Sequence, residues 1–268
     1  MKPHALVIGV CCLLASPQAS RGDICRGLDD DVARALNYFV TDDAGLRPGS
    51  EDKDELRWGR KVIVEHGQAA LPCLLEVYRN GPVKAGLWHD GGLPPAEGKW
   101  ALALIREIDA KVAIELYKSQ SQDALDDLGR ARANAEAAIL GDPSVLDGLV
   151  AFLRRPPVVA KESEPDLIYV QERAMMAVSV NNYRAALPAI QELEKTSPHK
   201  KLVAVYAAQL SGDVESLQRA VKDDFTAETA LFALKRMGKS DIVKRIAEDR
   251  TDPANRAAVA VLSGRTGQ

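Results

Sequence analysis

Apolar residues recur at helical spacing along almost the whole chain after residue 27, and turn signals interrupt this pattern at regular intervals. The turns are Gly67, Asp109, Gly141-Asp142, Asn181-Asn182, Gly212-Asp213 and Gly238-Lys239-Ser240-Asp241. Glycine can end a helix in the left-handed conformation, and Asp or Asn can cap the next helix. The spacing of roughly 28 to 42 residues is typical of helical repeats. No stretch alternates with period two long enough to indicate a strand, so the sequence predicts an all-α chain of helix pairs.

Segments aligned on these turns are similar to one another. Ala69-Ala70-Leu71-Pro72 recurs as Ala185-Ala186-Leu187-Pro188, where proline falls in the first turn of a helix and costs little. Residues 132–143 and 227–238 each contain a helix with small residues on one face and a closing glycine. Over roughly residues 52–268 the chain resembles the HEAT-repeat family, specifically the short bacterial HEAT-like repeats. The resemblance implies an α-α superhelix, a HEAT-like solenoid of about six helix pairs, each burying its apolar face against its neighbours.

The first twenty residues, MKPHALVIGVCCLLASPQAS, have the plan of a secretory signal peptide. Lys2 is the only formal charge there, and the apolar run is about half of the roughly 20 residues needed to cross a bilayer. We expect removal of residues 1–20, an N-terminal helix and linker over residues 21–51, and the solenoid over residues 52–268. The mature protein is then periplasmic or secreted, with no stable membrane insertion.

Loss of the signal peptide removes Cys11 and Cys12 and leaves the even pair Cys25 and Cys73. In an oxidising compartment such a pair favours a disulfide. The alternative is two buried free thiols, because sequence alone does not show that the two Cα atoms approach within bridging distance.

Charge gives no reason to expect nucleic acid as a partner. The chain has 35 Lys plus Arg and 38 Asp plus Glu, for a net charge of −3. A DNA-binding solenoid would need a basic face to neutralise phosphates. The basic residues near the C-terminus are explained as a solvated helical face.

Motifs of known chemistry are absent from the sequence. No pair of histidines has metal-ligand spacing, and there is no phosphate loop, Gly-x-Ser-x-Gly elbow or calcium loop. Acidic runs are typical of helix first turns, and His66 is placed to interact with a helix C-terminus. The sequence therefore predicts no cofactor and no metal. The most reactive-looking cluster is His89-Asp90, in a Gly- and Pro-rich loop.

These observations favour a non-catalytic protein that binds another protein through its concave face, as a scaffold or as an inhibitor or immunity-like protein. An extended rigid surface suits a protein partner better than a small reactive substrate. Candidate partner-binding residues are Trp88, His89, Tyr117 and Tyr183. The alternative is a hydrolytic or metal-assisted enzyme that uses the His89-Asp90 loop, with a contribution from His66. A third possibility is a structural component of a larger envelope complex. The oligomeric state and the partner stay open.

Overall fold

The computed structural model describes residues 25, 27–41, 54–85, 87 and 99–264. These residues form fourteen α-helices, and no strand occurs among them. The helices are α1 (Asp30–Thr41), α2 (Asp54–His66), α3 (Leu71–Lys84), α4 (Lys99–Ile108), α5 (Ala110–Asp123), α6 (Asp127–Ile139), α7 (Leu146–Arg154), α8 (Glu164–Val180), α9 (Leu187–Thr196), α10 (Lys200–Ser211), α11 (Val214–Ala220), α12 (Ala227–Arg236), α13 (Ser240–Glu248) and α14 (Asn255–Ser263). The prediction of an all-α helical repeat fold is confirmed.

The six turn signals read from the sequence all lie where one helix ends and the next begins. Asp142 and Asp213 act as predicted caps, since their carboxylates accept hydrogen bonds from Ser144 N at 2.9 Å and Ser216 N at 3.0 Å. Pro72 falls in the first turn of α3, and Pro188 in the first turn of α9. Local turn chemistry therefore connects the two helices of each pair.

Two compact units divide the chain, residues 1–110 and residues 111–268. In unit 1, α1 packs on α2, α2 on α4, and α3 on α4. Phe39 of α1 stacks on Trp100 of α4, with ring centroids 5.5 Å apart. The fully buried side chains of Leu36, Ile63 and Leu74 complete this core.

Cys25 and Cys73 lie at disulfide distance in unit 1, with their Cα atoms 5.0 Å apart. Both side chains are buried, and the pair joins the segment before α1 to the first turn of α3. This geometry agrees with the predicted disulfide rather than with two separate thiols.

Unit 2 contains successive helices that pack on their neighbours along the chain: α6 on α7, α7 on α8, α9 on α10, α10 on α11, and α12 on α13. We call α6, α8, α10, α12 and α14 the first helices, and α7, α9, α11 and α13 the second helices. Each first helix packs on the next one, from α6 to α14, and α7 also packs on α9. The cores lie between these layers, around Leu149, Met175 and Ile190 and around Leu217, Leu231 and Leu234.

Contacts between equivalent positions show that α6 and α8 run in the same direction. Arg132 and Tyr169 are the sixth residues of their helices, and the Arg132 guanidinium lies 5.5 Å from the Tyr169 ring centroid. Glu136 and Arg173 are both tenth residues, and they form an ion pair. Helix pairs stacked in register therefore place equivalent residues side by side, as a repeat architecture requires.

Gly212 ends α10 in the left-handed region, with φ 83° and ψ 18°. We expect Gly212→Ala to lower the free energy of unfolding by about 1–2 kcal/mol, because a Cβ disfavours this conformation. Gly148, inside α7, is the matched control. Gly148→Ala should raise stability by about 0.5–1 kcal/mol, since alanine favours helix and only the Asn134 amide lies as near as 4.0 Å to the added carbon. Urea unfolding of the two variants measures both effects, and equal shifts would contradict the assignment of the turn.

Candidate functional site

Part of the predicted site lies outside the described residues. Trp88, His89 and Asp90 belong to that part, as does the predicted signal peptide at residues 1–20. The binding role of Trp88 and His89, and the alternative enzymatic role of the His89-Asp90 loop, therefore stay predictions.

The two predicted tyrosines occupy different environments. Tyr117 of α5 is buried and only 7% exposed, so its ring is not available on the surface, because it packs inward from its helix. Tyr183 lies half-buried between α8 and α9, and its hydroxyl donates a hydrogen bond to Asp147 of α7. This hydrogen bond raises the pKa of Tyr183 above its ordinary value. Tyr183 thus joins neighbouring pairs, while Tyr117 is an internal residue.

The histidines of the described chain take part in structural contacts. His66 is the last residue of α2, as predicted, with Nδ1 3.2 Å from Val62 O and Nε2 3.4 Å from Asp29. His199 precedes α10, with Nδ1 2.5 Å from Glu172 Oε1 and its ring edge against Phe225. Within the described ranges no three His, Cys, Asp or Glu side chains gather into a group that could hold a metal ion.

Among the described residues, three of the four carboxylates with lowered pKa values are cap residues, and the fourth, Asp223, is stabilised mainly by a hydrogen bond from Lys201. Hydrogen bonds from Ser144, opposed by burial and helped by Lys118, hold the pKa of Asp142 below its ordinary value. Hydrogen bonds from Ser216 and Thr251 do the same for Asp213 and Asp249. These shifts have a local structural cause, since a carboxylate that accepts several hydrogen bonds is stabilised in its charged form.

A row of Arg, Glu, aromatic and Met side chains is contributed by three of the first helices of unit 2, α6, α8 and α12. We call it the first-helix row, and it consists of Arg132, Glu136, Tyr169, Arg173, Met176, Phe232 and Arg236. On α8, Tyr169, Arg173 and Met176 are spaced i, i+4 and i+7, which places them on one side of the helix. The pairs on α6 and α12 have the same i, i+4 spacing. The row therefore runs across successive helices instead of along one of them.

A bidentate ion pair fixes the centre of the row. Arg173 Nε lies 2.7 Å from Glu136 Oε1, and Nη2 lies 2.9 Å from Oε2. The two side chains are only 12% and 10% exposed. Burial lowers the pKa of Arg173, but hydrogen bonding and the charge of Glu136 outweigh it and leave this pKa above its ordinary value. The Met176 sulfur lies 3.4 Å from Nη1. The guanidinium is therefore held in one orientation.

Between α8 and α12 lies α10, which packs on both helices. Its Tyr206 is buried, and its pKa is affected by the charges of both Arg173 and Arg236. Burial and the charge of Glu172 raise the pKa of Tyr206 to about 12, against the opposite effect of the two arginines. On α12, the Arg236 guanidinium lies 5.6 Å from the Phe232 ring centroid. Arginine thus lies against an aromatic ring at both ends of the row, a contact that orders a long side chain.

Sequence reasoning missed this row because its members are far apart in the chain. The contacts Arg132–Tyr169 and Glu136–Arg173 each span 37 residues. The repeat spacing was the available signal, since one period of roughly 28 to 42 residues brings equivalent helix positions together.

Comparison of the chain with protein-family models, with curated proteins and with solved structures gives no match. The resemblance to HEAT-like repeats stays a prediction from the sequence, beside the all-α helical repeat fold that the structure has. None of the described helices is long and apolar enough to cross a membrane.

Proposed function

We propose that the chain is a non-catalytic protein-binding module and that unit 2 receives its partner on the first-helix row. The observation that supports this proposal is the composition and placement of the row. Arg, Tyr, Phe and Met are enriched at the centres of protein interfaces, where Arg and Tyr are frequent hot-spot residues. Tyr169 is 45% exposed, so a large aromatic surface faces solvent beside Arg132.

Preorganisation favours binding at this surface. Arg173 is held by Glu136, and Arg132 and Arg236 lie against aromatic rings. Long side chains that are already ordered lose less conformational entropy on association. A partner can therefore use these residues with a smaller free-energy cost than freely rotating surface arginines would impose.

The packing of unit 2 supports a concave shape on the same side. Ala135, Ala138, Ala174 and Ala177 are fully buried on α6 and α8, and such small residues let two helices approach closely. The second helices bury larger side chains, among them Leu149 and Ile190. When the helices of one layer lie closer together than those of the other layer, the stack curves, with the closely spaced layer on its inner side. We therefore assign the first helices to the inner side of the proposed solenoid.

We place the protein in the periplasm or outside the cell. The Cys25–Cys73 pair supports an oxidising compartment, because disulfides persist there. The predicted signal peptide over residues 1–20 agrees with export.

The test is a capture of the partner by matched variants. The chain from residue 21 onward is purified from its native compartment after mild crosslinking, as the wild type, as Arg132→Ala/Tyr169→Ala, and as Arg154→Ala/Gln191→Ala. The last variant removes exposed residues of the second helices α7 and α9. We expect one stoichiometric partner with the wild type and the control, and about tenfold less with Arg132→Ala/Tyr169→Ala.

Equal retention by the two variants would remove the first-helix row from the proposal. Circular dichroism of each variant checks that the helices persist, so that loss of binding is not loss of folding. The enzymatic alternative is tested separately with His89→Ala/Asp90→Ala. If this variant still captures the partner but loses the phenotype that the wild-type protein confers, a catalytic role of the loop is favoured.

A further inference from the structure

A polar cavity of about 360 Å³ lies where three first helices of unit 2 end. Its lining comes from the C-terminal ends of α8, α10 and α12 and from the turns that follow α8 and α10. The residues that matter for its chemistry are Ser179, Asn182, Arg184, Gln209 and Arg236. All of these side chains carry hydrogen-bond donors and none is acidic.

The turn conformations explain why donors dominate this cavity. Asn182 and Gly212 take up positive φ values of 49° and 83°, which return the chain over the helix ends. Tyr183 N then donates to Val178 O at 2.8 Å, and Asp213 N donates to Ala208 O at 2.9 Å. Gln209 Nε2 donates to Ser179 O at 3.0 Å. These carbonyl groups at the helix ends therefore already accept hydrogen bonds. The arginine side chains of the cavity are not needed to satisfy them.

Two positive charges of the cavity have no acidic partner among the described residues. In the part of the chain that the structure describes, no carboxylate lies within ion-pair distance of Arg184 or Arg236. Burial lowers the pKa of Arg236, partly offset by Tyr206. Both arginine side chains are exposed, so a carboxylate can reach them, and a guanidinium forms strong charge-assisted hydrogen bonds with a carboxylate.

Neutral donors of the cavity are free as well. The Ser179 hydroxyl is buried and has no hydrogen-bond partner among the described residues. No side-chain hydrogen bond engages the Asn182 amide in the same part of the chain. Buried polar groups are normally paired, so an unpaired hydroxyl on a residue that lines the same cavity as Arg184 and Arg236 points to a ligand with acceptor atoms.

We propose that this cavity binds one carboxylate group of the partner protein, held by Arg184 and Arg236. The proposal rests on the proposed function only for the source of the carboxylate, which is an acidic side chain or the C-terminus of the partner. The three helix C-termini at the cavity carry partial negative charge, which disfavours a doubly charged phosphate more than a carboxylate. Arg236 also belongs to the first-helix row, so the cavity adjoins the proposed binding surface.

Small probes test the cavity without the partner. The chain from residue 21 onward, labelled with ¹⁵N, is titrated with two probes that each carry one carboxylate: N-acetylglutamic acid α-amide for a side-chain carboxylate, and N-acetylalanine for a C-terminal carboxylate. N-acetylalanine amide is the neutral control, and inorganic phosphate is the competing anion. We expect saturable shifts at Asn182, Gly212 and Arg236 with apparent Kd values of about 1–10 mM for a carboxylate probe.

The variants Arg184→Gln and Arg236→Gln should each weaken carboxylate binding by about tenfold, because each removes one charged donor. Arg154→Gln, which changes an exposed arginine at the end of α7, should have no effect. Equal shifts from the neutral amide, tighter binding of phosphate, no saturable shift, or unchanged affinity in both cavity variants would each overturn the proposal.

Partner capture separates this proposal from the function on which it rests. Arg184→Gln should reduce partner retention while the wild type retains it. If the probes bind and the wild type captures no partner, the carboxylate site stands and the protein-binding function fails. If a partner is captured equally by wild type and Arg184→Gln and the probes do not bind, the function stands and the cavity assignment fails.

Discussion

Replacing Arg173 with Met is expected to lower the free energy of unfolding of unit 2 by about 3 kcal/mol, because it leaves the Glu136 carboxylate buried without its partner. The side chains of Arg173 and Glu136 are 12% and 10% exposed, and two hydrogen bonds join them. Methionine keeps most of the aliphatic length of arginine, so the substitution leaves little empty space. The loss of stability therefore comes mainly from removal of the ion pair. Urea unfolding followed by circular dichroism measures the change.

Arg130→Met is the matched control for this prediction. Arg130 pairs with Asp127 within the same helix, but the two side chains are 49% and 72% exposed. Such a surface pair contributes at most about 1 kcal/mol. The double variant Glu136→Gln/Arg173→Met should recover part of the loss, since it removes the buried charge. A cost of Arg173→Met no greater than that of Arg130→Met would contradict a role of the pair in joining α6 to α8.

Turn chemistry made the helix boundaries predictable. A left-handed glycine followed by a capping aspartate is a local signal, and Gly212-Asp213 separates α10 from α11 as the sequence indicates. Asn182 takes the same kind of position with φ 49°, which asparagine tolerates better than most residues. The end of one helix and the start of the next could therefore be located from residues that are adjacent in the chain.

The candidate site could be predicted much less well. Loop composition and aromatic residues drew attention to Trp88, His89 and Tyr117, but Tyr117 is internal and the other two lie outside the described residues. The row that the structure presents depends on contacts between helices, such as Arg173 with Glu136. Amphipathic spacing indicates which side of a helix is buried, but which helices lie side by side, and which residues therefore meet across them, depends on the fold.

Removing the Cys25–Cys73 pair is expected to lower the stability of unit 1 by about 4 kcal/mol in the chain-entropy description. The two cysteines are 48 residues apart in sequence, and the bridge closes a loop that contains α1 and α2. Opening that loop gives the unfolded segment more conformations and leaves the folded contacts largely in place. Cys25→Ala/Cys73→Ala is the suitable variant, because serine would bury two hydroxyl groups at positions that are 2% and 1% exposed.

Hydrogen exchange of the chain from residue 21 onward resolves where the stability is lost. Amides of α1, α2 and α3 should exchange faster in the variant, while those of α8 and α10 should keep their protection, because the bridge lies wholly within unit 1. The wild-type protein under reducing conditions should behave like the variant, which controls for the loss of the two sulfur atoms. Equal acceleration in both units would mean that they unfold as one cooperative body. No acceleration anywhere would mean that α1 is held by its packing on α2 and by the stacking of Phe39 on Trp100 of α4, without help from the bridge.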